Sequence, residues 1–425
     1  MAPIANPGTS IEPGKEPLTT RSVSAEAIRD YVIGYLGRVR TGELGVLPII
    51  LGLVVISTIF QSLNQNFLTA QNLANLLVQG AGIAVIAMGV TFVLILGEID
   101  LSVGYVSGVG ASILALTVTG LHPWPWWLSV AAAVIACAGI GLLQGTIVAV
   151  LRIPSFVVTL AGLLGWNGVV LILIADNGTV PIDNPVIVGI ANSLLTPEQG
   201  WFLLAVGVVL YGGYLLTQYR GRRRRQLGVT PLPVLALRLT AVAGLGGVIV
   251  YLCNENRGLL VPISGVPVIT VLILVMLVAL SILLGRTAFG RHIYAVGGNA
   301  EAARRAGINV AGVRIAVFTI ASVMAALGGV VLASRLRSVD TGVGGGNILL
   351  YSIASAVIGG TSLFGGRGKV VHAILGATVI QAIDNGMGLL ALSAGAKFAV
   401  TGLVLFLAAA VDALSRRGRT AAGVG

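Results

Sequence analysis

Few residues in this 425-residue chain have types and spacing that could do chemistry. Glu98 and Asp100 stand two apart in the stretch Gly97-Glu98-Ile99-Asp100-Leu101-Ser102-Val103-Gly104. Paired carboxylates can act as general acid and base, but no His, metal ligand or nucleophile stands beside these two in sequence. At a bilayer centre each would cost about 2.5–3.5 kcal/mol, so they belong at an interface or in a polar cavity. The simplest reading has Asp100 capping the helix that follows and Glu98 solvated, with Ser102 completing the turn. A second stretch, Gln381-Ala382-Ile383-Asp384-Asn385-Gly386, puts a carboxylate inside an apolar run. Such a group either lines a path for a polar solute or pairs within the helix bundle. Ser155, Thr159 and Asn167 give another apolar run a sparse polar set, suited to helix–helix hydrogen bonding or to the same path.

Other candidates fail on spacing. Gly365-Gly366-Arg367-Gly368-Lys369-Val370 resembles a phosphate loop, but Leu363 stands where Gly is needed and Val370 where Ser or Thr is needed. His122, His292 and His372 are scattered, and Cys137 and Cys253 sit in apolar segments, so neither a metal site nor a disulfide framework is expected. No catalytic residue is assigned. If ATP drives this protein, another chain supplies it.

The elements that position these residues are membrane helices. The chain is 56% hydrophobic and 10% charged, against roughly 25% charged for a soluble domain. The expected fold is an all-α polytopic membrane protein with about 10–12 transmembrane helices, in twelve ranges: 46–63, 80–97, 101–120, 127–151, 156–175, 201–218, 232–252, 266–284, 315–334, 348–362, 371–389 and 397–413. Segment 64–79 is too polar to span and reads as interfacial or re-entrant, as 348–362 does by its shortness. Gly104/Gly108 and Gly141/Gly145 suit close helix packing. Residues 1–23 read as a disordered cytoplasmic tail. Residues 24–42 have the pattern of an amphipathic helix, lying on the membrane surface or packed on the protein's own loops. Residues 43–414 form the membrane domain, and 415–425 a second cytoplasmic tail.

The net charge of +11 reflects loop asymmetry, not nucleic-acid binding. With the N-terminus inside, 22 of the 26 Lys and Arg fall on the cytoplasmic side; Arg257, Arg335, Arg337 and Lys397 fall outside. Both termini are therefore expected inside.

The cytoplasmic loop 286–314 carries the outline of one short helix. Asn299 is a good N-cap, Glu301 lies in the first turn, Arg304 and Arg305 in the last, and Gly307 can end the helix in a left-handed conformation. Glu301 and Arg305 form an i,i+4 pair. About two turns are marginal alone, so docking to a partner is expected to supply part of the geometry. The plain alternative is a helix that closes a loop.

Together these motifs resemble the permease subunits of bacterial ABC importers for monosaccharides. The resemblance rests on Gly97 with Ile99 to Gly104, on Pro154-Ser155-Phe156-Val157-Val158-Thr159-Leu160, on Tyr294 to Asn299 with Ala302 to Arg304 and Gly307-Ile308, and on Ile358-Gly359-Gly360-Thr361-Ser362-Leu363. It covers about 46–414. Val158 to Leu163, Asp384 to Met387 and an extra span pair around Arg222–Arg225 make it most similar to the xylose branch. Glu98 departs from the family's usual Gly, Asn167 from an Arg, and Arg305-Ala306 from Leu-Ser.

The resemblance implies a multi-pass protein of the bacterial cytoplasmic membrane that is no enzyme itself and translocates a monosaccharide, xylose or another pentose. Two permease chains would pair, two cytoplasmic ATPases holding ATP and Mg would dock, and an extracytoplasmic binding protein would deliver the sugar. Gly298, Asn299, Glu301, Arg304 and Gly307 would couple to the ATPase; Asn167, Asp384 and Asn385 are the pathway candidates. The rival reading is an ion-coupled secondary transporter of a small polar solute, for which Asp384 is the one strong candidate site.

Overall fold

A computed structural model describes residues 29, 33, 47–174, 177–226, 230–258 and 261–421. The tail 1–23 lies outside them, as does the surface helix 24–42 apart from Arg29 and Ile33, both helical and exposed. Helices fill all twelve expected ranges. In chain order they are α1 (Leu47–Leu63), α2 (Ala70–Gln79), α3 (Ala81–Ile95), α4 (Val103–Val118), α5 (Trp126–Val150), α6 (Ser155–Ile174), α7 (Pro185–Asn192), α8 (Pro197–Arg224), α9 (Leu232–Asn254) and α10 (Val268–Arg286). There follow α11 (Ala288–Gly298), α12 (Ala300–Arg305), α13 (Val310–Leu336), α14 (Ile348–Ile358), α15 (Val370–Leu389) and α16 (Ala394–Ala421). Two short strands, β1 (Thr179–Pro181) and β2 (Ser338–Asp340), pair antiparallel, with Val180 opposite Val339.

Among the described residues, seven helices are long and apolar enough to cross a bilayer. There are eight if α2 and α3, bent by 44° at Gly80, count as one broken span. The expected ten to twelve is thus too high by this measure. α1, α4, α14 and the apolar part of α16 are shorter, and α14 has only 11 residues. The polar segment before α3 is helical from Ala70, capped by the Thr69 side chain on Asn72 N–H at 3.4 Å. α16 continues to Ala421, through most of the stretch expected to be a tail.

The chain divides into two compact units. One combines Met1–Glu43 with Leu203–Gly247. Its described part is the hairpin of α8 and α9, in which Leu239 lies against Gly212 and Leu204 against Gly246. The other combines Leu44–Phe202 with Val248–Gly425. At its centre α13 packs against α3, α4 and α5, while α14 and α15 pack on each other and on α3. The core is built of Ile86, Leu94, Val106, Leu114, Val330 and their neighbours, all buried. Apolar residues on α5, α6 and α10 point outward instead, as lipid requires: Ile135, Ile172 and Val275 are all more than half exposed.

Inside a bilayer, apolar burial gives helices little reason to associate, so packing depends on how closely backbones approach. α13 shows the device. A Cβ built on Gly329 would lie 2.1 Å from Ser107 O of α4. Gly141 and Gly145 of α5 make the expected close helix contact, against Phe318 and Ile315 of α13. Gly104 and Gly108 do not: they face the backbone of Gly344 and Val343, in the loop after β2. That loop crosses α4 where a neighbouring helix was expected.

Gly329→Val should therefore force α4 and α13 apart and destabilise the fold by about 1–3 kcal/mol. Thermal unfolding in detergent would register this as a lower midpoint, and an unchanged midpoint would contradict the packing described.

Candidate functional site

The loop 286–314 folds as two helices, not one. α11 begins at Thr287, whose hydroxyl accepts from Gly290 N–H at 3.1 Å, and buries Ile293 and Val296. Its signal was legible: a capping Thr ahead of Phe289, Ile293 and Val296 at helical spacing. Gly298, expected among the residues that couple to an ATPase, ends this helix and precedes α12.

α12 has the expected form. Asn299 Oδ1 accepts from Ala302 N–H at 2.9 Å. Glu301 reaches Arg304 at 2.8 Å and Arg305 at 3.2 Å, all three exposed. Gly307 has φ +82. Its N–H donates to Arg304 O and that of Ile308 to Ala303 O, both at 3.0 Å, which makes a Schellman ending. Ala303 is buried in a cluster with Phe92, Ile95, Val296 and Val310. The helix is thus held by its own caps and one inward Ala. Two clefts of about 530 Å³ each flank the turn that follows, one lined by Arg152, Arg304 and Arg314, the other by Phe289, His292 and Gly307.

The motif turn lies against this loop. A Cβ on Gly297 would sit 1.8 Å from Ile95 O, at the end of α3. That same oxygen accepts from Gly366 N–H at 2.8 Å. Tyr294 Oη donates to Gly368 O at 2.6 Å, and burial pushes its phenol up from the ordinary value. The glycine-rich stretch that fails as a phosphate loop is therefore a packing turn between α14 and α15. Gly97 completes the contact with φ +76, near Phe364 and Gly365.

Glu98 is not solvated. Its carboxylate meets Arg314 at 3.0 Å, with side chains 15% and 26% exposed. Arg314 lies just beyond α12, on the first turn of α13, and neutralises a charge that would otherwise be costly there. Asp100 is buried, and its Oδ1 accepts from Ser102 N–H at 2.9 Å and from Ser102 Oγ at 2.6 Å. It thus binds the N-cap residue of α4 instead of being the cap. Burial pushes the Asp100 carboxyl up, while the two bonds from Ser102 pull it down.

Ser102 Oγ also lies 3.1 Å from Gln144 Oε1, and Gln144 Nε2 is buried without a partner. One hydroxyl hydrogen cannot serve both Asp100 and Gln144. Turning the amide over supplies Nε2 as donor to Ser102 and leaves the Ser102 hydrogen to Asp100. Ser155 and Thr159 join the same turn: Ile99 N–H donates to Ser155 Oγ at 3.3 Å, and the Thr159 hydroxyl, 2.9 Å from Ser155 O in its own helix, also lies 3.3 Å from Ile99 O.

The pathway candidates lie elsewhere, and only two of them come together. Asp384 accepts from Tyr351 Oη at 2.9 Å, Tyr351 in turn accepts from Asn347 Nδ2 at 3.1 Å, and Arg335 stands within electrostatic reach. Asn385 Oδ1 accepts from Asn72 Nδ2 at 2.9 Å. Gln79 Oε1 accepts from Gln381 Nε2 at 3.1 Å and from Asn385 Nδ2 at 3.4 Å. A polar cluster thus spans α2, α13, α14 and α15. Asn72 and Gln79 were missed, although their seven-residue spacing puts both on one face of α2. Asn167, half-buried on α6, makes no hydrogen bond among the described residues and belongs to neither group.

Removing one partner of the Glu98–Arg314 pair leaves a partly buried charge alone. Glu98→Gln should cost about 1–2 kcal/mol, and adding Arg314→Gln should restore part of it. A double-mutant cycle on unfolding midpoints measures this coupling; strictly additive losses would refute it.

Comparison with known proteins places these features in a family. The family described as "Branched-chain amino acid transport system / permease component" matches residues 72–409. The chain is similar to a "Xylose transport system permease protein XylH" of Escherichia coli, 38% identical over 357 residues, covering 83% of this chain and 87% of that one. One of the same name from Haemophilus influenzae is 34% identical over 391 residues, covering 89% and 99%. A "Ribose import permease protein RbsC" of Escherichia coli is 32% identical over 367 residues, covering 85% and 92%. No solved structure matches. The chain belongs to the branched-chain amino acid transport system / permease component family.

Proposed function

We propose that this chain is the membrane permease subunit of an ATP-driven ABC importer for a monosaccharide, of the xylose type. The observation that carries the reading is α12, a rigidly capped helix that shows Glu301, Arg304 and Arg305 to its surroundings and is packed through Gly297 against a membrane helix. Family membership spans both sugars and amino acids by name; the relatives named for xylose and ribose favour the sugar.

The proposed assembly is two permease chains, two ATPases docked on α12 and an extracytoplasmic binding protein, in the bacterial cytoplasmic membrane. ATP and Mg reside on the ATPase chains, and this chain is no enzyme. Both termini lie inside, supported by the distribution of Lys and Arg. The domain boundaries follow: membrane domain 43–414, with 286–314 as the coupling loop. Asp384 and Asn385 line the solute path near its outer side. Asn167 lies apart from them and is the weaker candidate. The secondary-transporter reading has less support, because Asp384 is engaged by Tyr351 and the relatives are named as permease components.

Glu301→Lys with Arg304→Glu should leave the permease inserted while sugar-stimulated ATP hydrolysis and xylose uptake fall together, roughly tenfold or more. Asp384→Asn should impair uptake and leave ATPase capture normal. ATPase rates and uptake in proteoliposomes, measured on both variants, decide it: full coupling in the loop variant would reduce α12 to a loop closure. Single cysteines near Arg223 and Gly418 should be labelled only from the cytoplasmic side, and one near Asn256 only from outside. Labelling of the Arg223 and Asn256 positions from one side would overturn the topology.

A further inference from the structure

The cleft beside α12 holds donors that no described residue uses. Its lining joins the turn after α5, the end of α12 and the start of α13. Arg152 is exposed and, among the described residues, makes no hydrogen bond or ion pair. Arg314 spends one nitrogen on Glu98, while its Nε is buried without an acceptor. Among the described residues, Asn309 caps only Gly312 N–H, at 3.0 Å, and the Val310 and Ala311 N–H groups at the positive end of a 27-residue helix have no acceptor. Against these donors stands one carboxylate, Glu98, already paired.

Arg152 also holds an unusual backbone. It follows the C-cap Leu151 with φ 57, at the position where helices favour glycine. A β-carbon in the left-handed region is unfavourable, so the local fold alone would be better served by Gly. The long cationic side chain is kept there at a conformational cost.

We infer that this cleft is a second docking element, and that it receives an acidic side chain of the ATPase, held by Arg152 and the N-terminus of α13. The inference rests on the proposal that an ATPase docks on α12. It adds which neighbouring turn takes part and what charge the partner must bring. An anion is selected because every unspent group named above is a donor or a cation, and a partner cation would face Arg152 across about 530 Å³ of cleft. The second cleft, by His292 and Gly307, has no such excess of donors and carries no proposal.

The test uses the full permease in nanodiscs and the ATPase that co-purifies with it, with affinity measured over a range of salt concentrations. Arg152→Gly suits the backbone and removes the cation. It should unfold no earlier than the wild type, yet bind the ATPase roughly tenfold more weakly with a flatter salt dependence. Arg152→Lys should keep most of the affinity. Arg222→Gln, an exposed arginine on α8 outside the cleft and the coupling loop, should stay within about twofold. Unchanged affinity in Arg152→Gly, or an equal loss in Arg222→Gln, overturns the cleft while leaving ATPase docking intact. A wild-type permease that retains no ATPase overturns both.

Discussion

Gly297 lies so close to α3 that no side chain could stand there, and the Ile95 carbonyl it touches also accepts from Gly366. Three segments meet at that point: the end of α3, the end of α11 and the glycine-rich turn before α15. None contributes a side chain to the contact itself. Backbone contact at van der Waals distance is nearly incompressible, so a displacement of α11 and α12 must be passed on to α3 and to the turn. The Tyr294–Gly368 hydrogen bond pins the turn a second time. α12 is thus the exposed end of a close backbone connection to the membrane helices.

The connection continues along α15. The helix starts at Val370, two residues after the glycine that Tyr294 binds, and reaches Asp384 and Asn385 within one uninterrupted run. At 1.5 Å per residue, fourteen or fifteen residues span about 21–22 Å. One continuous helix therefore joins the glycine-rich turn beneath α11 to the polar cluster of Asp384, Asn385 and Gln381. α14 packs closely on it, since a Cβ on Gly376 would lie 1.8 Å from Ser355 O. In an importer driven by a separate ATPase, this gives a physical route between the two regions without any charge relay.

How far the sequence disclosed this differs by feature. α12 was legible to its caps, because Asn299, Glu301, Arg304 and Gly307 act within one short stretch where local rules hold. α11 was as local, yet overlooked, since its apolar positions are spread over a segment dominated by Arg, His and Gly. Glu98 was misread as solvated because its partner, Arg314, stands far along the chain, and sequence spacing says nothing about that pairing. The same holds for Asn72 with Asn385. The helix ranges were found from apolar runs; α8, α9, α13 and α16 run longer than expected, while α3, α4 and α14 stop short. Hydropathy continues into turns such as 96–102 and 359–363, where glycine ends the helix while apolar residues continue.

The polar cluster also bears on why a chain like this need not be selective. Its amides are already bonded to one another: Asn72 to Asn385, Gln79 to both Gln381 and Asn385. A sugar hydroxyl arriving there exchanges one hydrogen bond for another, and such exchange yields little net free energy. If the proposed path runs past these self-satisfied amides, they hold a polar solute weakly. It also spares the cost of unpaired polar groups when the path is empty. Weak holding favours release, which an importer needs at each step. Discrimination between sugars then has to come from a component that meets the solute before the membrane does, and that is the chemical ground for a separate binding protein in the proposed assembly.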